Sequence, residues 1–231
     1  MKANKMVFSK RLALIESLVP AGSRVCDVGT DHGYLPVFLY RSGKCKSISA
    51  TDINKKPLEN ARRNIEAAGA ADVRLYLCDG LEGITRDMAD TVIIAGIGGE
   101  VISGIIFRAA FLRDNTVTLI LQPTTSADKL RDFLGVEGFS VDLETAVCDN
   151  GKLYAVMRAR YSGAPYKIDG VRRAIGLIKP DTAEGLAYIK KQYSVIKKRA
   201  EDLEKTDKNN ELYLYSRDTA AKLEKLLNGE A

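Results

Sequence analysis

The stretch Val25–Pro36, "VCDVGTDHGYLP", carries the clearest structural signal of the chain. Its first part, Val25–Gly29, predicts a short buried strand that runs into a glycine turn, the place where open α/β sheets bind nucleotides. The turn also carries two carboxylates, Asp27 and Asp31, and the only histidine of the chain, His32. A loop that holds phosphate groups is rich in N–H donors and not in carboxylates. The turn therefore predicts a ligand that carries no phosphate.

On either side of this stretch, strand and helix patterns alternate over residues 24–160. This alternation predicts a parallel sheet with helices on both faces. The strand candidates are short runs rich in β-branched residues: Arg24–Val28, Ser47–Ile53, Val73–Cys78, Thr91–Gly96, Thr116–Gln122, Val141–Val147 and Leu153–Arg160. The helical candidates are amphipathic: Leu35–Arg41, Pro57–Ala68, Glu100–Leu112 and Ser126–Val136. Only "CDNGK" separates the last two strands, which predicts a terminal antiparallel hairpin. This is the plan of the Rossmann-like class I methyltransferase sheet, although periodicity does not fix the strand order.

Two helical regions flank the predicted sheet. Leu12, Leu14, Ile15 and Leu18 predict a short amphipathic helix that covers the sheet before the first strand. The Gly/Pro-containing stretch "RYSGAPY" predicts a linker, so we expect a sheet domain over residues 1–162 and a helical domain over residues 163–231. In the second domain, apolar residues spaced alternately by three and four predict an antiparallel coiled-coil hairpin. They are Leu186, Ile189, Tyr193, Ile196, Ala200 and Leu203, then Leu212, Tyr215, Thr219, Leu223 and Leu226.

Composition limits the class of protein. The chain has 231 residues and a formal net charge of +5. Its apolar runs are too short to cross a bilayer, and the N-terminus lacks the unbroken apolar segment of a signal peptide, so we expect a cytoplasmic protein with no membrane partner. The four cysteines show no C-x-x-C pairing, and one histidine cannot build a metal site. We therefore expect reduced, buried cysteines and no metal.

Further carboxylates identify the ligand of the glycine turn. A dinucleotide loop reads G-x-G-x-x-G and has glycine where this chain has Asp31, whereas carboxylates suit the cationic sulfonium of S-adenosylmethionine. Asp52 ends the second strand, where it can accept from both ribose hydroxyls, and Asp79 ends the third, where it can accept from the adenine amino group. One such Asp is more often a cap or turn residue. Three carboxylates at the ends of successive strands, Asp27, Asp52 and Asp79, beside a glycine turn favour S-adenosylmethionine.

The fourth strand ends in "IIAGIGGE", residues 93–100. Methyltransferases that act on exocyclic amines of bases usually carry Asn/Asp-Pro-Pro-aromatic here, and this chain has Gly96, Gly98 and Gly99 instead. A ring nitrogen such as N1 of adenine needs no acceptor for a proton, only close approach and in-line geometry. Glycines permit that approach. A tight strand–helix connection explains the same glycines equally well.

Seven segments together resemble the bacterial tRNA methyltransferases that modify N1 of adenine 22 in the D-arm: "SKRL", "VCDVGTDHGYLP", "TDIN", "CDGL", "AGIGGE", "LILQP" and Gly151-Lys152-x-Tyr154. The resemblance covers most of residues 8–160. It implies that the methionine end is lined by Asp27, Gly29, Asp31 and His32, the ribose by Asp52 and Ile53, and the adenine by Asp79 and Gly80. It places Gly96–Gly99 and Gln122-Pro123 at the target base, so the catalytic candidates are Asp31, Gly98, Gly99, Gln122 and Pro123. The family has Asn after the Gln-Pro step, where this chain has Thr124.

The second domain carries clustered positive charge. The candidate RNA-binding residues are Arg11, Arg172, Arg173, Lys190, Lys191, Lys197 and Lys198. The four lysines recur at a spacing of seven, which predicts one basic stripe along a helix. A solvated coiled-coil face is the simpler explanation of such a stripe, and Arg11 is equally suited to a salt bridge. Beside a methyltransferase cleft, the stripe favours a tRNA backbone recognised by shape.

Two other functions remain open from the sequence. One is a class I methyltransferase for a small molecule or a protein, with the hairpin as a dimerisation element. The other is a non-catalytic cofactor-binding protein whose coiled coil recruits a partner. The oligomeric state is not fixed by the sequence, and a monomer is slightly favoured.

Overall fold

The computed structural model describes residues 9–230, so residues 1–8 of the expected sheet domain and residue 231 lie outside the described residues. Seven strands form one sheet: β1 (Arg24–Val28), β2 (Ser47–Asp52), β3 (Arg74–Leu77), β4 (Thr91–Ile97), β5 (Thr118–Pro123), β6 (Phe139–Asp149) and β7 (Lys152–Tyr161). Within residues 9–230, eight α-helices accompany them: α1 (Lys10–Leu18), α2 (Tyr34–Ser42), α3 (Lys55–Ala67), α4 (Gly99–Arg108), α5 (Ala127–Val136), α6 (Gly170–Ile175), α7 (Ala183–Glu204) and α8 (Glu211–Asn228). The expected α/β methyltransferase fold is confirmed.

The strand order is β3-β2-β1-β4-β5-β7-β6. The first five strands are parallel, and β7 runs antiparallel to both β5 and β6. The order reverses between β1 and β4, because the chain leaves β1 toward β2 and β3 and then returns to β4 on the other side. Ligands of such sheets bind at the carboxyl ends of the strands at this switch point.

Each face of the sheet has its own buried core. One is built around α4, α5 and β5 and includes Phe139, Ile102 and Leu119. The other is built around α1, α2 and α3 and includes Ile15 and Leu39. The predicted first helix does cover the sheet, as the spacing of its leucines indicates. The α4 prediction was too long, because a separate 3₁₀ turn occupies Ala110–Arg113.

The helical region packs on the β6–β7 hairpin through a third core. Ala146 and Ala155 of the hairpin contact a cluster that contains Ile189 of α7 and Leu223 of α8. Below this core lies a buried ion pair: the Nη2 of Arg131 is 2.6 Å from Oε1 of Glu144 and 3.1 Å from the Tyr188 hydroxyl. The ion pair joins α5, β6 and α7. The helical region is therefore attached to the sheet by polar as well as apolar contacts.

The side chain that caps α7 is Thr182, which accepts from the Gly185 N–H. One local prediction in the helical region was wrong. In α8, the first half of the predicted apolar face is displaced by one residue. Tyr213 and Ser216 are buried there, while Leu212 is exposed, because the short turn after α7 changes the phase of the second helix.

Candidate active site

A cleft of about 740 Å³ opens at the carboxyl ends of β1 and β4. Its volume lies within the range of sites that bind a whole cofactor. It is lined by ten of the predicted site residues: Arg11, Asp27, Gly29, Asp31, His32, Asp52, Ile53, Asp79, Gly80 and Gly96. The structure thus brings together the glycine turn and the ends of the next three strands of the chain.

The glycine turn is shaped by backbone contacts. Gly29 has a φ of 78°, and its N–H donates to the Thr51 carbonyl at 2.9 Å, which ties the turn to the end of β2. A side chain on Gly33 would come within 3.1 Å of Ala61 on α3. Glycine at this position therefore lets α2 begin close against α3, with its first turn at the edge of the cleft.

Asp27 is the most perturbed carboxylate of the cleft. It is only 4% exposed, and burial raises its pKa from 3.8 to about 6. The nearby Thr30 hydroxyl and Arg11 guanidinium lower the pKa of Asp27 in part, and the carboxylate of Asp52 raises it. A buried carboxylate of this kind gains most from a ligand that brings a positive charge.

The acids at the ends of β2 and β3 differ in their surroundings. Asp52 is buried, and its Oδ1 accepts from the Asn54 N–H at 2.8 Å, which fixes the carboxylate at the cleft wall. Asp79 is half exposed and is held by Arg108, whose Nη2 lies 3.2 Å from both carboxylate oxygens. Ile53, the residue after Asp52, is exposed at the cleft and offers an apolar edge to a ligand.

Two aromatic rings stand at the mouth of the cleft. His32 and Tyr34 are stacked, with ring centroids 5.3 Å apart, and the imidazole Nε2 lies 3.4 Å from Oδ2 of Asp31. All three side chains are exposed, Asp31 most of all. Asp31 is therefore accessible to a substrate, in contrast to the buried Asp27.

Arg11 reaches the cleft from α1. Its Nη1 donates to Oε1 of Gln122 at 2.6 Å, and its guanidinium lies 5.7 Å from the centroid of the Tyr154 ring. The start of α1 is fixed by Asp149, which accepts from the Ser9 hydroxyl and the Lys10 N–H. The "CDNGK" turn thus positions a cleft residue by holding the N-terminus of its helix.

Four catalytic candidates, Gly98 and Gly99 after β4 and Gln122 and Pro123 at the end of β5, do not line the cleft. A side chain on Gly99 would come within 2.3 Å of the Ser126 carbonyl, so close packing of two loops accounts for this glycine. Gln122 is fully buried, and its Nε2 donates to the Pro123 carbonyl at 2.9 Å. We expect Gln122 to act on the cleft through Arg11.

The basic candidates on the helical hairpin form two rows and not the single stripe expected. Lys190 and Lys197 share one side of α7, and Lys191 and Lys198 share another, because successive residues turn by about 100°. Lys197 contacts the hydroxyl of Tyr193 at 3.1 Å, and Tyr193 donates to Glu224 of α8. The other row is turned away from this contact.

The two arginines of α6 differ in availability. Arg172 is exposed, whereas Arg173 is ion-paired with Asp132 and lies 5.8 Å from the centroid of the Tyr215 ring. Arg173 therefore contributes to the junction between α5 and α6 as well as to surface charge.

Sequence reasoning missed several residues of the cleft. Tyr34, Val101 and Ile105 line it, and Arg108 holds Asp79 from outside. Tyr34 lies within the stretch Val25–Pro36, directly after the glycine turn. Its place in the first turn of α2, at the edge of the cleft, could therefore have been predicted from the sequence. The other three belong to α4, and no local pattern shows that this helix reaches the end of β3.

The charges of the cleft fit S-adenosylmethionine. Among the described residues, four aspartates and one arginine are the charged groups that line it. This excess of negative charge attracts a sulfonium and opposes a pyrophosphate. Asp52 has acceptor oxygens for ribose, and Asp79 has them for an adenine amino group. Within residues 9–230, no cluster of three or more His, Cys, Asp or Glu side chains could hold a metal ion, and no helix could span a membrane.

Comparisons with known proteins agree with this geometry. A family described as "Methyltransferase domain" matches residues 8–157. The tRNA (adenine(22)-N(1))-methyltransferase of Bacillus subtilis is 30% identical over 225 residues, which are 96% of this chain and 92% of that protein.

Solved structures show the same likeness. The B. subtilis m1A22 tRNA methyltransferase TrmK superposes with a TM-score of 0.79 at 26% identity, over 98% of this chain and 100% of that one. The Streptococcus pneumoniae protein Sp1610, in complex with S-adenosyl-L-methionine, superposes with a TM-score of 0.77 at 30% identity, over 95% and 99%. Together with the acidic cleft, these matches show that the chain belongs to the family of tRNA (adenine(22)-N(1))-methyltransferases.

Proposed function

We propose that the protein transfers a methyl group from S-adenosylmethionine to N1 of adenine 22 in the D-arm of tRNA. The observation that carries the proposal is the cleft with acids at three successive strand ends, in a chain of this family. The glycine-rich end of β4 supports a ring nitrogen as the target, since it lacks the motif that binds an exocyclic amine.

Methylation of N1 needs no general base. The N1 atom of neutral adenine carries a lone pair and no proton, so the task of the protein is to align the reactants and to stabilise charge. When bound, S-adenosylmethionine supplies a methyl group on a positively charged sulfur. Asp52 and Asp79 hold the ribose and adenine ends, and buried Asp27 attracts the positive charge.

The positive charge passes to the methylated base, and Asp31 is the accessible carboxylate beside it. Asp31 therefore stabilises the developing cation by electrostatics. Gly96, with a φ of 83°, leaves the end of β4 without a side chain where the base approaches. His32 keeps Asp31 in place through its 3.4 Å contact and moves no proton.

The helical hairpin supplies affinity for tRNA. Its exposed lysines suit phosphate groups, and the chain has no motif of an RNA module that reads single bases, so recognition is of tRNA shape. Residues 1–162, the expected sheet domain, carry out the methyl transfer, and residues 163–231, the expected helical domain, bind tRNA. We also propose that the reaction takes place in the cytoplasm and that the protein is a monomer.

The test is incubation of the protein with tRNA and methyl-labelled S-adenosylmethionine, followed by nucleoside mass spectrometry. We expect 1-methyladenosine as the main product. N6-methyladenosine or a methylated guanosine as the main product would exclude the proposal. Label transferred to protein and not to RNA would favour the alternative of a protein methyltransferase.

A further inference from the structure

A second, smaller cavity lies beside the cleft. This groove has a volume of about 150 Å³ and is bounded by the loop after β5, by β7 and by α7. Four residues carry the argument: Thr124 in the loop, Asp128 in the first turn of α5, Tyr154 on β7, and Lys191 on α7. Such a volume is below that of a whole-ligand site and matches one part of a larger substrate.

Only a thin wall separates the groove from the cleft. Ile97 lines the cleft, and its carbonyl accepts from the N–H of Thr124, which lines the groove, at 2.9 Å. Arg11 lines the cleft with its guanidinium over the ring of Tyr154, which lines the groove. A polymer with one unit in the cleft therefore has its neighbouring unit within reach of the groove.

The groove offers groups that suit a nucleotide. Leu153 and Tyr154 give it a partly buried apolar side, and Asp128 and the Thr124 hydroxyl can accept hydrogen bonds from a ribose hydroxyl. The ammonium of Lys191 is exposed and forms no hydrogen bond or ion pair with any residue from 9 to 230. It is available for a phosphate.

The position of Lys191 is fixed by the buried ion pair beneath α7. Tyr188 lies one turn before Lys191 and is bonded to Arg131, which is itself bonded to Glu144. Residues three apart lie on neighbouring sides of a helix. The ion pair therefore holds the first half of α7 against α5 and β6, which keeps Lys191 at the edge of the groove.

We propose that the groove binds a nucleotide adjacent to the target adenosine, with its phosphate on Lys191, and so selects which adenosine enters the cleft. This inference rests on the proposed function and adds a subsite to it. Lys191 is a positioning residue, since it holds the neighbouring nucleotide and does not touch the reacting atoms.

The first test compares variants of one helix. Lys191→Ala should raise KM for tRNA about tenfold, the effect of one lost charge-assisted contact, and Lys191→Arg should restore most of it. The KM for S-adenosylmethionine should not change. Lys205→Ala is the matched control, because Lys205 directly follows the end of α7, about 21 Å from Lys191 along the helix axis, and is paired with Asp202.

The second test identifies the phosphate. Neutral methylphosphonate linkages are placed in tRNA on either side of adenine 22, one at a time. One of them should raise KM for the wild-type protein and have no further effect on Lys191→Ala. Additive effects at both linkages, or a KM of Lys191→Ala equal to that of Lys205→Ala, would overturn the inference. Wild-type protein that makes no 1-methyladenosine would instead overturn the proposed function.

Discussion

Replacing Asp27 by Asn should stabilise the protein without its cofactor while weakening cofactor binding. Burial raises the pKa of Asp27 from 3.8 to about 6, so above pH 6 the folded protein contains a buried charge that the unfolded chain keeps in water. Because the pKa in the folded state is raised, the stabilising contribution of this group is fully present below pH 3.8. It is lost as the pH rises through 6.

The size of the effect follows from the two pKa values. The full loss is about 3 kcal/mol of the free energy of unfolding between low and neutral pH. About 1.4 kcal/mol of it falls between pH 5 and pH 7.5, a range in which other groups titrate alike in both proteins. The Asn variant is neutral throughout and does not lose this contribution.

The assay is urea unfolding of wild type and Asp27→Asn, without cofactor, at pH 5 and pH 7.5. The stability of the variant relative to wild type should rise by about 1.4 kcal/mol from the lower to the higher pH. A difference that stays constant with pH would refute the assignment of a buried, ionising Asp27. Affinity of wild type for S-adenosylmethionine should fall below pH 6, as the carboxylate becomes protonated, and that of the variant should be low at both pH values.

Three further substitutions test other parts of the protein. Asp52→Ala should weaken S-adenosylmethionine binding by about 2–4 kcal/mol through two lost ribose bonds, and calorimetry with unchanged affinity would remove Asp52 from the site. The double variant Lys190→Glu, Lys197→Glu should raise KM for tRNA and flatten the salt dependence of binding by about two units, with unchanged cofactor affinity. Normal tRNA affinity with an altered elution volume on a sizing column would instead identify a protein interface. Arg131→Met should cost about 3–5 kcal/mol of stability by leaving the buried charge of Glu144 without its cation, whereas adding Glu144→Leu should recover much of it; equal stability of the single and double variants would contradict this.

Local sequence patterns predicted most of the sheet and the acids of the cleft. Strand ends are visible as the point where a β-branched run stops, so Asp27, Asp52 and Asp79 could be assigned to one edge. The antiparallel hairpin was visible because its turn is short. The position of β7 between β5 and β6 could not be predicted, because strand order depends on contacts between distant parts of the chain.

The remaining features depend on long-range pairing. Arg131 and Tyr188 are 57 residues apart, and no local pattern links them. The same holds for Arg11 and Gln122, which are 111 residues apart and whose hydrogen bond places a candidate RNA-binding residue inside the cleft. The phase of α8 was mispredicted because a polar turn transmits no helical register from α7.

The most direct test of the account is methyl transfer to tRNA in which adenine 22 is replaced by guanine. The unmodified tRNA should yield 1-methyladenosine, and reverse transcription should stop at position 22, since a methyl group on N1 blocks base pairing. The replaced tRNA should accept no methyl group while still binding the protein. An undiminished rate of methyl transfer to the replaced tRNA would contradict the account.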